Sequence, residues 1–192
     1  MKTPFELLWA IIGLLLTIGG TFVEAFVANP TGLWEPQPSP MVSLGVTYQV
    51  GAGLFVGCLG GKKAGALSQF AYLLLGLTPW FQVFYDGGGL EYFQRPTLGY
   101  LLGFVPGAWI CGGLAFKASP KLELLAFSCL SGLFAVHSVG ILYLTLNYLW
   151  RGQIFTLPTA VMTYSIAPLP GQLAVVCAVT VMAYFFRRLM LY

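Results

Sequence analysis

Long apolar stretches, separated by short polar segments, run through almost the whole chain. A helix that crosses a bilayer needs about 20 mostly apolar residues, whereas a transmembrane barrel shows short segments of alternating polarity. The stretches therefore predict an all-α integral membrane protein with six transmembrane helices in a single domain. We place the spans at residues 7–28, 41–59, 64–78, 97–116, 122–150 and 159–186.

The composition agrees with this pattern and excludes two classes of soluble protein. Hydrophobic residues make up 58% of the chain and charged residues only 8%, against about 25% charged residues in soluble domains. So few charges cannot cover a soluble enzyme, nor supply the dense basic face of a nucleic-acid-binding module. The sequence also lacks the G-x-x-x-x-G-K-[ST] loop that cradles nucleotide phosphates, so ATP-driven transport would need a separate ATPase subunit.

The cysteines and the single histidine give no indication of catalysis. All four cysteines lie inside apolar runs and none forms a C-x-x-C pair, which is typical of buried, reduced thiols. His137 has apolar neighbours and no carboxylate or thiol at helical ligand spacing, so we expect a packed or polar-bridging histidine rather than a metal ligand. We expect no enzymatic activity and no cofactor.

The placement of the basic residues predicts the orientation. Lys and Arg are enriched in short loops on the cytoplasmic side. With the N-terminus inside, only Arg95 and Arg151 fall on the outer side. We therefore expect a multi-pass protein of the cell membrane with both termini in the cytoplasm. The basic residues assigned to the inner side are Lys2, Lys62, Lys63, Lys117, Lys121, Arg187 and Arg188.

Small residues recur at every fourth position in three spans, a pattern that lets helices approach closely in lipid. In the second and fourth spans we interpret this as packing within the bundle; these residues are Gly53, Gly57, Gly61, Gly99, Gly103 and Gly107. In the first span we predict instead a face exposed to a partner helix, formed by Thr17, Thr21 and Ala25.

Polar groups at membrane depth are costly and mark binding sites or structural networks. The segment 79–96 combines aromatic residues, three successive glycines, Asp86 and Arg95. These features predict a small-molecule pocket open to the outside, with aromatic walls and few charges. The alternative for the aromatic residues is a belt at the membrane interface.

A second break in the apolar pattern lies at residues 168–171, directly before Gln172. Irregular backbone at membrane depth is tolerated where it is buried in protein or lines a cavity. Three more polar residues lie in the outer halves of predicted spans: Gln49, Tyr143 and Asn147.

Several motifs resemble the BioY family, the biotin-binding S components of energy-coupling-factor (ECF) transporters. They are the T-Y-Q sequence at 47–49, G-G-K-K-A-G-A-L-S at 60–68, Y-L-L-L-G-L at 72–77, G-G-G at 87–89 and R-P-T-L-G-Y-L-L-G-F at 95–104. The resemblance implies a six-helix subunit, embedded in the lipid bilayer, that captures biotin from outside. Family members work with a transmembrane coupling subunit and two ATPase subunits, and some act alone.

The resemblance also implies a set of ligand-binding positions, which we combine with the polar residues above. In the family the last span reads Pro-Gly-Asp with a Lys three residues on, whereas this chain has Gln172 and Val175. We therefore predict that Arg95 replaces the lysine as the partner of the biotin carboxylate; alternatively it pairs with an acidic neighbour or reaches the surface. The full set is Thr47, Gln49, Tyr72, Phe84, Asp86, Gly88, Arg95, Thr97, Tyr100, Tyr143, Asn147 and Gln172.

Two other functions remain open from the sequence. One is an S component for another small vitamin, because Gln172 and Val175 depart from the family pattern. The other is a structural or assembly membrane protein without a ligand, which would have little use for a glycine-rich aromatic loop.

Overall fold

The computed structural model describes residues 3–29 and 41–190, so that Lys2 lies outside the described part. The described residues form mainly helices: α1 (Thr3–Phe22), α2 (Gln49–Leu77), α3 (Leu98–Ala115), α4 (Leu122–Trp150), α5 (Leu157–Val161) and α6 (Leu169–Met190). Short 3-10 helices at Leu90–Gln94 and Ile154–Thr156 and a π-helical turn at Met162–Ile166 connect them.

Four stretches of the described residues are long and apolar enough to cross a membrane. They are Pro4–Phe22, Leu98–Ala115, Leu122–Trp150 and Ile154–Met190. The chain is thus a helical, multi-pass membrane protein, as the sequence predicts. The predicted spans 97–116 and 122–150 coincide with α3 and α4 to within one residue at each end. The total of six spans stays a prediction.

Helix α2 is a hairpin whose two arms meet at Gly61. This glycine has φ 83° and ψ 177°, a backbone conformation that residues with a Cβ atom rarely adopt. Beyond it the chain folds back on itself. A Cβ on Gly65 would lie 3.0 Å from the Cα of Gly57, and one on Gly53 would lie 3.1 Å from the side chain of Gln69. The predicted spans 41–59 and 64–78 therefore contribute two antiparallel arms of one element, at 49–60 and 62–77.

A small antiparallel pair of strands replaces the end of the first predicted span and the start of the second, so the described residues are predominantly rather than entirely helical. Strand β1 (Glu24–Ala28) pairs antiparallel with β2 (Met41–Thr47), with Ala28 opposite Met41 and Val27 opposite Val42. Aromatic and β-branched residues favour strands in these segments. The sequence did not separate them from the spans because a short apolar run fits a strand or a buried helix equally well.

The predicted sixth span is interrupted, as its Pro-rich sequence indicates. Residues 157–161 and the π-turn precede a short break in the helical pattern at 167–168, and α6 begins only at Leu169. Pro168 has no N–H to continue a helix, and the Ala167 N–H bonds back to the Met162 carbonyl at 2.8 Å. The predicted interruption at 168–171 thus agrees with the break before α6, and the π-helical turn at Met162–Ile166 adds an irregularity that the sequence did not indicate.

Glycines at the helix contacts confirm the predicted packing of the second and fourth spans. A Cβ on Gly103 would lie 2.7 Å from the Val136 carbonyl oxygen, and one on Gly107 would lie 2.9 Å from that of Gly132. Helices α3 and α4 can touch only because these side chains are missing.

The prediction that Thr17, Thr21 and Ala25 face a partner is wrong, because all three are fully buried. Each threonine hydroxyl bonds to a carbonyl four residues earlier, which hides its polarity. Gln69 of α2 donates to Thr17 at 2.9 Å. The threonine stripe therefore packs inside the bundle, where its hydroxyl groups find hydrogen-bond partners. The exposed side of α1 consists of larger apolar residues: Leu7, Leu8, Ile11, Leu15 and Leu16.

The described cations lie at opposite ends of the bundle. Arg187 donates to the Ala115 carbonyl at the end of α3, and Lys62 lies 5.2 Å from the Trp109 ring centre. These contacts place the hairpin junction of α2, the end of α3 and the end of α6 at the same end of the bundle. At the other end, Arg151 donates to the Gln94 carbonyl at 3.0 Å. We call these the Lys62 end and the Arg95 end.

Candidate ligand-binding site

A cavity of about 210 Å³ lies at the Arg95 end, between the hairpin α2, helices α3 and α4, and the start of α6. Six of the predicted residues line it: Gln49, Phe84, Asp86, Thr97, Tyr100 and Gln172. Six further residues outside the predicted set line it, of which Tyr85 and Tyr92 belong to the aromatic segment 79–96: Tyr85, Tyr92, Leu101, Phe104, Val136 and Tyr164. The cavity thus combines aromatic surface with amide, hydroxyl and carboxylate groups.

One side of the cavity, the first wall, is lined by Gln49 and Phe84, with Tyr72 behind them as their support. The hydroxyl of Tyr72, a fully buried residue, accepts a hydrogen bond from Gln49 Nε2 at 2.8 Å and donates to the Val83 carbonyl at 2.9 Å. The Thr21 hydroxyl lies 3.1 Å away. Tyr72 therefore does not line the cavity but fixes the amide of Gln49, which does.

Phe84 continues the first wall with its ring. The ring centre lies 5.3 Å from that of Tyr72 in an edge-to-face arrangement and 4.7 Å from that of Tyr92. Edge-to-face aromatic pairs contribute about 0.5–1.5 kcal/mol beyond their buried area. A Cβ on Gly76 would overlap the Phe84 ring, so the glycine creates the space that the ring occupies. Phe84 is consequently buried and fixed rather than free to act as a lid.

The glycine-rich loop is bonded closely to α2. Phe84 and Gly87 exchange two backbone hydrogen bonds of 3.1 and 3.2 Å, and the Gly89 N–H donates to the Gly76 carbonyl at 2.8 Å. A Cβ on Gly88 would lie 2.7 Å from that same carbonyl oxygen. Gly88 therefore permits the loop to approach the helix and does not itself line the cavity. The exposed Asp86 is carried at the tip of this loop.

Tyr92 belongs to the 3-10 turn that follows the glycine-rich loop, and it lines the cavity. Its side chain is buried, and its hydroxyl accepts a hydrogen bond from Thr97 at 3.0 Å. Burial raises the pKa of Tyr92 above 10, the Thr97 hydrogen bond lowers it, and the charges of Asp86 and Arg95 act on it in opposite directions. Both charges thus lie within electrostatic reach of a residue that lines the cavity.

The opposite side, the second wall, is lined by Tyr100 and Gln172, with His137 behind them as their support. His137 Nε2 lies 2.6 Å from Gln172 Oε1. An amide oxygen only accepts hydrogen bonds, so the imidazole donates and the amide –NH₂ of Gln172 is the group offered to the cavity. The Tyr100 hydroxyl bonds to Ser165 on the π-turn, and its ring packs edge-on to His137 at 5.7 Å. The prediction of a polar-bridging His137 is confirmed.

The other predicted residues lie around the cavity without lining it. Thr47 belongs to β2 and lines a neighbouring cavity of about 380 Å³ that shares Tyr85. The Tyr143 hydroxyl donates to the Phe93 carbonyl at 2.6 Å, and the Asn147 carbonyl accepts the Arg151 N–H. Arg95 is exposed at the end of the 90–94 turn. The ligand-binding roles of the whole predicted set stay predictions.

The sequence contains only a weak signal for the residues that were missed. Tyr92 and Tyr164 are two of the ten tyrosines in an aromatic-rich chain, and their positions depend on the 3-10 and π-helical turns that carry them. His137 could be identified as polar-bridging, but its partner Gln172 lies 35 residues away. Only the tertiary fold brings the two together.

Comparison with known proteins assigns the family. The family model described as "BioY family" matches residues 5–191. A probable biotin transporter BioY from Lysinibacillus sphaericus is 34% identical over 68% of this chain and 67% of its own length. The biotin transporter BioY from Thermotoga maritima is 40% identical over 44% of this chain and 49% of its own.

A third relative and a crystal structure extend the likeness over the whole chain. An uncharacterised 21.2 kDa protein from the psbX-ycf33 intergenic region of Cyanophora paradoxa is 27% identical over 99% of this chain and 100% of its own. The crystal structure of the S-component for biotin from an ECF-type ABC transporter shares the fold, with a TM-score of 0.72 and 21% identity over 98% of this chain and 95% of that one. The chain therefore belongs to the BioY family.

Proposed function

We propose that the protein is the membrane-embedded, biotin-binding S component of an ECF-type uptake system. It captures biotin from outside, while a separate transmembrane coupling subunit and two ATPase subunits drive transport. The observation that carries this proposal is the cavity at the Arg95 end, where fixed amide and hydroxyl groups face aromatic rings. Two relatives named as biotin transporters support the choice of ligand. The role requires no chemical change in the ligand.

The topology that fits this role has six spans and both termini in the cytoplasm. The hairpin arms of α2 would count as two spans, and the break at 167–168 would lie within the sixth. Among the described cations, only Arg95 and Arg151 lie at the Arg95 end. The other six share the Lys62 end: Lys62, Lys63, Lys117, Lys121, Arg187 and Arg188. Because basic residues favour the cytoplasmic side, the cavity would open to the outside.

Labelling of introduced cysteines tests the topology. A membrane-impermeant maleimide applied to intact cells should modify a cysteine placed at Ser39 and should not modify one placed at Ser119. Permeabilised cells provide the control for reactivity at both positions. The reverse pattern would place the cavity in the cytoplasm and contradict capture from outside.

The size and lining of the cavity suit the bicyclic head of biotin rather than the whole molecule. Sites for whole drug-sized ligands measure about 300–1,000 Å³, and this cavity is smaller. The urea of the head offers two N–H donors and one carbonyl acceptor. The –NH₂ of Gln172 would donate to the carbonyl, and the carboxylate of Asp86 or the oxygen of Gln49 would accept from the N–H groups.

The valerate tail would then extend to the cavity mouth with its carboxylate. Val175 is buried against Gly51 and cannot serve as a cation. Arg151 is bonded to the Gln94 carbonyl. Arg95 is exposed beside the cavity, where its charge already acts on Tyr92. It would therefore pair with the carboxylate in partly solvated surroundings, which makes the expected contribution modest.

Equilibrium binding of labelled biotin to the purified protein in detergent or lipid nanodiscs tests the proposal. We expect saturable, one-to-one binding that unlabelled biotin competes and that thiamine, riboflavin and lipoate do not. Competition by a different vitamin would assign the protein to another substrate of the same transporter class. No binding of any of these ligands by folded protein at micromolar concentration would contradict the proposal and favour a structural role.

A further inference from the structure

Three of the four cysteines converge in the core of the bundle, in the half toward the Lys62 end. Cys58 comes from the first arm of α2, Cys111 from α3 and Cys129 from α4, and all three are fully buried. The Sγ atom of Cys58 lies 3.5 Å from each of the other two sulfurs, which are 3.9 Å apart. Spacing along the chain gives no sign of this cluster, because each thiol belongs to a different helix.

We propose that Cys58, Cys111 and Cys129 form a three-thiolate site for a soft, thiophilic metal ion, with Cu(I) as its representative. Sulfurs bound at about 2.3 Å to one ion in a trigonal plane are about 4.0 Å apart. The observed separations need to grow by only about 0.5 Å or less. Thiolate ligands select soft ions such as Cu(I) over the harder ions that prefer oxygen.

One buried cation, Arg187, offsets part of the charge of such a complex. Each metal–sulfur bond replaces one S–H bond, and three protons leave to solvent, so a Cu(I) complex carries two negative charges. Arg187 is buried, and its guanidinium carbon lies 4.2 Å from the Phe116 ring centre. A buried cation lowers the cost of placing negative charge in an apolar core.

A cavity at the Lys62 end approaches the cluster without reaching it. It measures about 430 Å³ and is lined by four glycines, among them Gly112, which directly follows Cys111. The cluster and this cavity lie in the opposite half of the bundle from the proposed biotin site. The inference is therefore independent of the proposed function, and biotin binding serves as a measure of intact folding.

Titration of the purified, reduced protein with Cu(I) under anaerobic conditions, against a chromophoric Cu(I) chelator, tests the site. We expect one ion per chain in the wild type. C58S, C111S and C129S should each lower the apparent affinity at least 100-fold while retaining biotin binding. The exposed Cys177 supplies the matched control, and C177S should behave as the wild type. Equal affinity in all four variants, or a loss only in C177S, would overturn the proposal.

X-ray absorption of Cu(I)-loaded wild-type protein decides the question even if a serine variant does not fold. Three sulfur neighbours at about 2.3 Å are expected. A shell with nitrogen or oxygen ligands, or with fewer than three sulfurs, would show that copper binds elsewhere and that the thiols only pack together.

Discussion

The two walls of the cavity differ in what their polar groups are bonded to. In the first wall the Tyr72 hydroxyl, the Gln49 amide and the Val83 carbonyl satisfy one another. In the second wall His137 binds only the oxygen of Gln172, which leaves the –NH₂ group for the cavity. The first wall combines helix α2 with the loop that carries Phe84, whereas the second wall is built on α3, α4 and the start of α6, with Tyr100 bonded to Ser165 of the π-turn.

Because of this difference, we expect the first wall to contribute mainly to the stability of the fold and the second wall mainly to ligand recognition. A closed network contributes mainly to folding, because removing one member leaves buried partners unsatisfied. An open donor contributes mainly to binding, because its partner is the ligand. The first wall also matches the BioY pattern at Gln49 and Tyr72, while the second contains the departure at Gln172. Differences in ligand preference among relatives should therefore arise at the second wall.

The largest effect is expected for Y72F in the first wall. Loss of the hydroxyl leaves the Val83 carbonyl and the Gln49 amide without their partner, and we expect a loss of about 3 kcal/mol in the free energy of unfolding. Thermal or denaturant unfolding in detergent measures this. Y143F is the matched control: its hydroxyl bonds to an exposed carbonyl, so at most about 1 kcal/mol should be lost. Equal losses in the two variants would remove the distinction between a closed and an open network.

Q172L tests the second wall. The leucine cannot donate to the urea carbonyl, and we expect biotin affinity to fall by about 2 kcal/mol, or roughly 30-fold. Desthiobiotin keeps the urea and should lose affinity in parallel. H137F should give a smaller loss, because Gln172 remains but is no longer held in position. If H137F weakens biotin more than Q172L does, the histidine itself would be the ligand-binding group.

R95A should have a smaller effect that is specific to the carboxylate. Because the arginine is exposed, we expect biotin to weaken by about 1 kcal/mol, roughly fivefold, and less at high salt. Biotin amide, which has no charge, should bind both proteins equally. R151A offers a control at the same end of the bundle. A parallel loss for biotin and its amide would show that Arg95 supports the loop rather than the ligand.

The smallest effect concerns pH and Tyr92. Burial raises the pKa of this phenol above 10, so the folded state favours the neutral form. The resulting contribution to stability is complete below pH 10 and is lost as the pH rises toward and through the raised pKa. Y92F should therefore resist alkaline unfolding better than the wild type, although it is no more stable at pH 7. An identical pH dependence would show that another group controls alkaline unfolding.

Much of the fold could be predicted because the membrane restricts the choice to long apolar helices. Spans 97–116 and 122–150 were accurate, since both are continuous apolar runs ending at polar turns. The β-hairpin could not be predicted, because apolarity alone does not distinguish a strand from a helix in segments as short as Glu24–Ala28. The stripe at Thr17 was misjudged because small residues occur both at partner surfaces and within bundles.

The site was partly predictable for a related reason. Polar residues at membrane depth are rare, so Gln49, Asp86 and Gln172 were conspicuous, and all three line the cavity. Asn147 was equally conspicuous but lies elsewhere, at the end of α4. The sequence does not show which way a polar side chain points when its helix packs on several sides. The cysteine cluster required three helices to converge, which no local pattern encodes.

The hairpin at Gly61 has a consequence for how the protein is made. Its two arms touch along a row of small residues and carry Lys62 and Lys63 at their junction. During synthesis they should leave the insertion machinery as a pair, with the lysines retained on the side of the ribosome. A bulky residue at Gly61 would then lower the amount of correctly inserted protein and expose the chain to quality-control proteolysis. Molecules that escaped degradation would still bind biotin normally.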